Sequence, residues 1–109
     1  MSEEDCIRAC TDSHNVCLEC LAYCMEQGGQ YAEEERLQIL VDCADICHLS
    51  ADFMLRGSPR HRLTCGICER ICKDCASCCE AMPEDGMMRR CARVCRTCAA
   101  YCGEMAAAA

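Results

Sequence analysis

The spacing of the cysteines constrains this chain more than any other feature. Cys65, Cys68, Cys72, Cys75 and Cys79 follow one another at intervals of 3, 4, 3 and 4 residues. On an α-helix that spacing puts all five on one narrow stripe, the a/d seam of a heptad. Cys91, Cys95, Cys98 and Cys102 repeat the device at 4, 3 and 4. Cys6, Cys10, Cys17, Cys20 and Cys24 keep the same phase, with Ser13 in the place of a missing thiol. Cys43 and Cys47 make a partial fourth seam with Arg36, Leu40, Ser50 and Met54. Cys78 sits beside the seam at Cys75 and Cys79, where it can still lean inward. One buried cysteine is ordinarily a small inert core residue. A set of seams in register reads instead as a core made of sulfur.

The helices that carry these seams have recognisable ends. The first is expected over about residues 3–27, with Ser2 as N-cap, Glu3, Glu4 and Asp5 at the positive end of its dipole, and Gly28-Gly29 as its stop. The second is expected over about 31–56. Gly57-Ser58-Pro59 should end it and begin the third, with Ser58 as N-cap and Pro59 at the first helical position, running to about Ala81. Pro83 to Gly86 then turns the chain into a fourth helix ending near Met105. Short loops make neighbours antiparallel. The expected fold is all-α: one domain over residues 1–109, an antiparallel up-down-up-down four-helix bundle with a cysteine-lined core. The second helix also carries Leu37, Ile39, Val41, Ile46, Leu49, Phe53 and Leu55 on several faces, more than one seam can use. The surplus is expected to pack on neighbouring helices or on another subunit.

Charge and length exclude several classes. The net charge is −7, and the eleven Lys and Arg residues are scattered. Nucleic acid binding needs a basic face, which is absent. No apolar run approaches a membrane span, and the acidic start MSEEDCIRAC lacks the pattern of an export signal. A cytoplasmic location is expected. Seventeen thiols in a reducing compartment do not suit a disulfide framework, and the odd count adds to the objection. Helical i,i+4 Cβ atoms, ~5–6 Å apart, are also too far apart for the ~3.5–4.5 Å a disulfide wants. No paired carboxylates and no nucleophile–base set suggest catalysis.

A soft metal remains. Thiolates select Cu(I), Zn²⁺ or iron–sulfur clusters. Each Zn(Cys)₄ unit would bury two negative charges, which a dry core resists. Ferredoxin spacing is C-x₂-C-x₂-C-x₃-C-P, whereas residues 65–75 give C-x₂-C-x₃-C-x₂-C inside a helix with no proline after it. Cu(I) accepts two or three shared thiolates, and one ion per thiolate leaves the core neutral. Two sulfurs bridged linearly lie about 4.5 Å apart, taking the ~2.3 Å zinc–thiolate bond as a yardstick, a span that i,i+4 side chains can meet. Cys6/Cys10, Cys20/Cys24, Cys43/Cys47, Cys68/Cys72, Cys75/Cys79, Cys91/Cys95 and Cys98/Cys102 are such CxxxC pairs. Multiple Cu(I) ions per chain are expected. The competing readings are a copper chaperone or sensor with few sites, or a zinc or iron–sulfur protein.

The ends of the seams offer weaker ligands. Met25, Met82, Met87 and Met88 collect at one end of the bundle, and Met54, His61 and Met105 at the other. Met82 and Met88 lie on the seam phase, which favours their end as the mouth for copper. His61 continues the third seam before Cys65 and is the best histidine ligand. His14 and His48 fall off the stripe, as surface or interface residues. The apo bundle is expected to stay folded, because helix propensity and burial on the second helix do not depend on metal.

The motifs EEDCIRAC, DCADIC, the 65–79 seam and CRTCAAYCGEMAAA together resemble the bacterial copper storage proteins, in particular their cytosolic branch. The resemblance covers essentially the whole chain. It implies many Cu(I) ions held by cysteine thiolates along the bundle axis, a store or buffer that keeps copper harmless, and assembly into homotetramers. The CxxxC cysteines become ligands by that comparison. A copper-donor or acceptor protein would be a partner. The methionines around Met87 and Met88 and the scarcity of histidine depart from the family's pattern at the mouth.

Overall fold

A computed structural model describes residues 2–108. Its helices are α1 (Glu3–Gln27), α2 (Glu34–Leu55), α3 (His61–Glu80) and α4 (Gly86–Ala107), with a short 3₁₀ turn (Gly29–Ala32) between the first two. Each helix packs on two neighbours, α1 on α2 and α4, α3 on α2 and α4, and the diagonal pairs stay apart. That is the up-down-up-down bundle, 44 × 19 × 18 Å, with the length that helices of 20–25 residues give at ~1.5 Å per residue.

The helix ends follow local chemistry, with two corrections. Ser2 caps α1 through a reciprocal box: its hydroxyl accepts from the Asp5 N–H, and the Asp5 carboxylate accepts from the Ser2 N–H, both at 3.2 Å. Gly28 and Gly29 then leave α1 with φ of 68° and 54°, angles that favour glycine. α2 starts at Glu34, later than expected, because residues 29–32 form the 3₁₀ turn instead of its first coil. α3 starts at His61, not Pro59. The Ser58 hydroxyl accepts from the Arg60 N–H and the Ser58 carbonyl from the His61 N–H, which makes a turn of residues 58–60 before the helix begins. α4 is capped by Asp85, whose Oδ1 accepts from the Met88 N–H at 3.0 Å. Among the terminal alanines, Ala109 lies outside the described residues.

The four seams meet on the axis. Sixteen cysteines have no exposed surface. The α2 places between them are filled by Leu40, Ser50 and Met54. Leu40 and Met88 are the largest fully buried side chains, so the core is built mainly of small side chains. The surplus apolar residues of α2 divide. Leu37, Ile39 and Ile46 pack against the core, whereas Val41, Leu49 and Leu55 stay exposed, as do Leu63 and Ile67 on α3. Phe53 lies under the Arg56 guanidinium, 4.3 Å from the ring centre.

Candidate metal centre

A column of sulfur runs along the bundle axis. Antiparallel neighbours bring thiols from different helices together. Cys10 and Cys102 are 3.5 Å apart, Cys17 and Cys95 3.6 Å, Cys43 and Cys72 3.6 Å, Cys47 and Cys68 3.7 Å. Pairs within one helix are similar or looser: Cys68/Cys72 at 3.7 Å, Cys20/Cys24 and Cys98/Cys102 at 4.0 Å. The tightest contacts are therefore between helices, which spacing along one helix does not reveal. All seventeen cysteines are free thiols.

These contacts resolve into five groups, three of them interlocked through shared members. Cys17, Cys43, Cys75 and Cys95 form one, with all four sulfurs within 4.8 Å of one another. Cys10, Cys68, Cys98 and Cys102 form a second; Cys47, Cys68, Cys72 and Cys98 a third. Three-thiol groups lie towards the ends, Cys6/Cys65/Cys102 and Cys20/Cys79/Cys91. Cys68, Cys98 and Cys102 each belong to two groups. Sharing of that kind suits ions that accept bridging thiolates and does not suit isolated tetrahedral sites with four ligands each. Among the described residues, Arg36 is the one buried side chain with a fixed charge. Positive charge to balance many thiolates has to come from the metal.

The thiols share their protons as a group. Cys47 is drawn down to about 7, chiefly by the Cys43 S–H donating to it. Cys68, Cys79 and Cys95 are lowered in the same way, with Cys10, Cys20 and Cys17 as their main donors. The donors' side of the exchange is Cys72, Cys75, Cys98 and Cys102, which hold their protons, with Cys43, Cys17, Cys10 and Cys10 respectively as the leading cause. Each group therefore mixes at least one thiol whose proton is loosened by its neighbours with thiols that hold theirs.

Ser13 occupies the gap in the first seam. Its hydroxyl accepts from the Cys47 S–H at 3.2 Å and lies 3.6 Å from Cys95 and 3.8 Å from Cys43. Thioethers stand at both ends of the column. Cys20 and Cys24 donate to the Met88 sulfur at 3.6 and 3.7 Å, and Cys65 to the Met54 sulfur at 4.0 Å. Met54 thus belongs with the candidate ligands. It is on the same seam as Cys43 and Cys47, which was the available signal.

The expected mouth is partly covered. Met88 is fully buried, whereas Met25 is 61% exposed. Asp85 Oδ2 accepts from both Tyr23 and Tyr31 hydroxyls, tying α1, the 3₁₀ turn and α4 together at this end. Those bonds hold the Asp85 carboxyl below its ordinary range, Tyr23 foremost, and push Tyr23 up to about 12. Met82 is half-buried and lines a cleft of 260 Å³ beside them. At the other end His61 is half-buried, and its Nδ1–H donates to the Ser58 carbonyl at 2.8 Å, leaving Nε2 with a free lone pair. His14 and His48 lie on the outer α1–α2 face with rings 5.0 Å apart, and His14 donates to the Ala44 carbonyl.

Cys78 does not lean inward. It is half-buried and faces a cleft between α2 and α3, outside every buried thiol group. Half-burial raises its pKa, and Arg36 beside it works against that rise.

The family profile of copper storage proteins matches residues 1–107. A solved protein of Nitrosospira multiformis is 39% identical, with a TM-score of 0.90 over 96% of this chain and 94% of that one. The Cu(I)-bound copper storage protein BsCsp3 is 35% identical, TM-score 0.89, over 95% and 97%. The apo form of copper storage protein 3 from Bacillus subtilis is 33% identical, TM-score 0.86, over 97% and 100%. No curated protein sequence is significantly similar.

Proposed function

This chain belongs to the copper storage protein family, and from that premise we propose that it stores many Cu(I) ions on the thiolates of its core. One observation carries the reading: sixteen sulfurs with no exposed surface, fifteen of them in five close groups of which three share members, around a column with almost no charge of its own. Cu(I) fits because one ion per thiolate is neutral and because bridging lets neighbouring groups share sulfur. The ligands are Cys6, Cys10, Cys17, Cys20, Cys24, Cys43, Cys47, Cys65, Cys68, Cys72, Cys75, Cys79, Cys91, Cys95, Cys98 and Cys102. Met82 and Met88 at one end, and His61 and Met54 at the other, serve ions arriving or leaving. The CxxxC pairs act as clips within a network whose other members come from neighbouring helices.

The role is storage and buffering without catalysis, in the cytoplasm, supplied or emptied by a donor or acceptor protein. Exposed Leu55, Leu63 and Ile67 support self-association, and the chain works as a homotetramer. The four-thiol groups are also of a size to take Zn²⁺, so the test discriminates. Reduced protein is titrated anaerobically with Cu(I) against a chromophoric Cu(I) chelator. Saturation near the cysteine count supports storage. Saturation at one or two ions would return most of these thiols to core filler and favour a chaperone, and tighter retention of zinc at four thiols per ion would favour a zinc protein.

A further inference from the structure

Sixteen thiols are sealed in the core; Cys78 is not. It opens onto a 590 Å³ cleft between α2 and α3, a volume on the scale of small-molecule pockets. Arg36 lines the same cleft and is only 7% exposed. Its Nη1–H donates to the Gln30 carbonyl, but its buried Nε–H has no partner. A buried guanidinium donor left open is costly until an anion completes it. Glu33, Glu35, Asp42 and Asp74 stand around the rim. The cleft therefore offers a reachable soft donor, a buried cation with an unused N–H, and an acidic margin.

Taking the copper-storage reading as given, we propose that this cleft docks the Cu(I) complex of a low-molecular-weight aminothiol and passes its copper to the chain through Cys78. The step is a ligand exchange without redox change. A bis-thiolate complex, [Cu(SR)₂]⁻, meets Cys78; a bond forms between copper and Cys78 Sγ, one Cu–SR bond breaks, and the Cys78 proton leaves on the departing thiol. The product, Cys78–S–Cu–SR, carries one negative charge, which Arg36 matches while its Nε–H donates to a sulfur. The ammonium of the aminothiol is met by the carboxylates of the rim. A second exchange onto Cys75 or Cys79 releases the remaining RS ligand with that residue's proton. Those two flank Cys78 in sequence and belong to the buried Cys17/Cys43/Cys75/Cys95 and Cys20/Cys79/Cys91 groups. The cleft lies on the α2–α3 side of the bundle, from the Glu33 and Ala81 caps inward to Asp42 and Asp74, with Cys78 as its one thiol and Cys75 and Cys79 sealed behind it.

The experiment follows anaerobic loading of the full chain from Cu(I)–glutathione and, in parallel, from acetonitrile-solvated Cu(I), by stopped-flow absorption. C78S is expected to slow loading from the glutathione complex about tenfold, the weight of one charge-assisted contact. Loading from the solvated ion, which brings no thiol, slows far less, and final capacity falls by no more than the one ion Cys78 itself would hold. R36Q is expected to act in the same direction, its folding checked by circular dichroism. Because Arg36 is buried and that variant can misfold, native mass spectrometry gives an independent reading. An adduct of one Cu(I) and one glutathione appears early on the wild-type chain and is absent from C78S. Equal rates for C78S and wild type from both sources, or persistence of the adduct in C78S, would overturn the docking site. Wild type that saturates at one or two ions from either source would instead overturn the storage reading beneath it.

Discussion

Leu40 marks a place where the column is interrupted by carbon, and replacing it separates core packing from metal binding. On α2, Cys43 meets Cys72 and Cys47 meets Cys68 and Cys72. One seam step back from Cys43 puts Leu40 between the levels of Cys75 and Cys79, and the Cys79 group has three thiols where the Cys75 group has four. Leu40→Ala removes one of the two largest fully buried side chains. Such truncations cost about 2–5 kcal/mol, so about 3 kcal/mol is expected here. At ~4 °C per kcal/mol for a chain of this length, apo Tm falls by about 12 °C. Leu40→Cys retains part of the volume and should cost about 2 kcal/mol, or about 8 °C. Copper then distinguishes the two. The new thiol completes a four-sulfur group, so L40C binds about one further ion by the one-per-thiolate rule and recovers its stability, whereas L40A gains no ligand. Anaerobic thermal melts of apo protein, guanidinium unfolding of loaded protein and chelator-competition stoichiometry read these quantities. If L40C binds no more copper than wild type, and its loaded form is as weak as loaded L40A, the register and the charge argument are both wrong.

Ser13→Cys should likewise raise capacity by about one ion, because its neighbours Cys43, Cys47 and Cys95 are already thiols, while Ser13→Ala leaves capacity unchanged and costs about 1 kcal/mol of apo stability; both are read by titration and melting. Asp85→Ala removes the α4 N-cap and should cost about 1 kcal/mol in denaturant unfolding. Asp85 has its pKa lowered on folding from 3.8, by the Tyr23 hydroxyl first and the Met88 N–H next. Its contribution is therefore full above the unfolded value and is lost as pH falls through the folded one. Stability measured from about pH 5 to about pH 2 should fall more steeply in wild type than in D85N. Copper-stripped, reduced protein should retain a helical circular dichroism spectrum, and a random-coil spectrum would contradict packing that survives without metal.

The bundle was legible because cysteine kept helical phase: the 65–79 stripe, the 91–102 stripe and the gap at Ser13 each map onto an inward face. Leu40, Ser50 and Met54 were placed on the α2 seam for the same reason. What periodicity along one chain cannot carry is the register between helices. Cys10 against Cys102 and Cys17 against Cys95 are set by how antiparallel helices slide, and no local spacing encodes that. The start of α3 was misplaced because Ser58-Pro59 has the composition of a cap, while hydrogen bonds from the Ser58 oxygens spend those residues in a turn. The tie of Tyr23 and Tyr31 to Asp85 was invisible for a third reason, since it joins residues more than fifty positions apart. Cys78 sits one residue from the seam, and that single step of about 100° along the helix turned it from the core to a cleft.

The most direct test of the central claim is a copper-edge anomalous difference map from crystals of the anaerobically loaded protein. A column of copper peaks is expected on the bundle axis, between Met54 and Met88, each within bonding distance of two or three of the sixteen buried sulfurs. One or two peaks in the core, or peaks confined to the outer His14/His48 face, would contradict it.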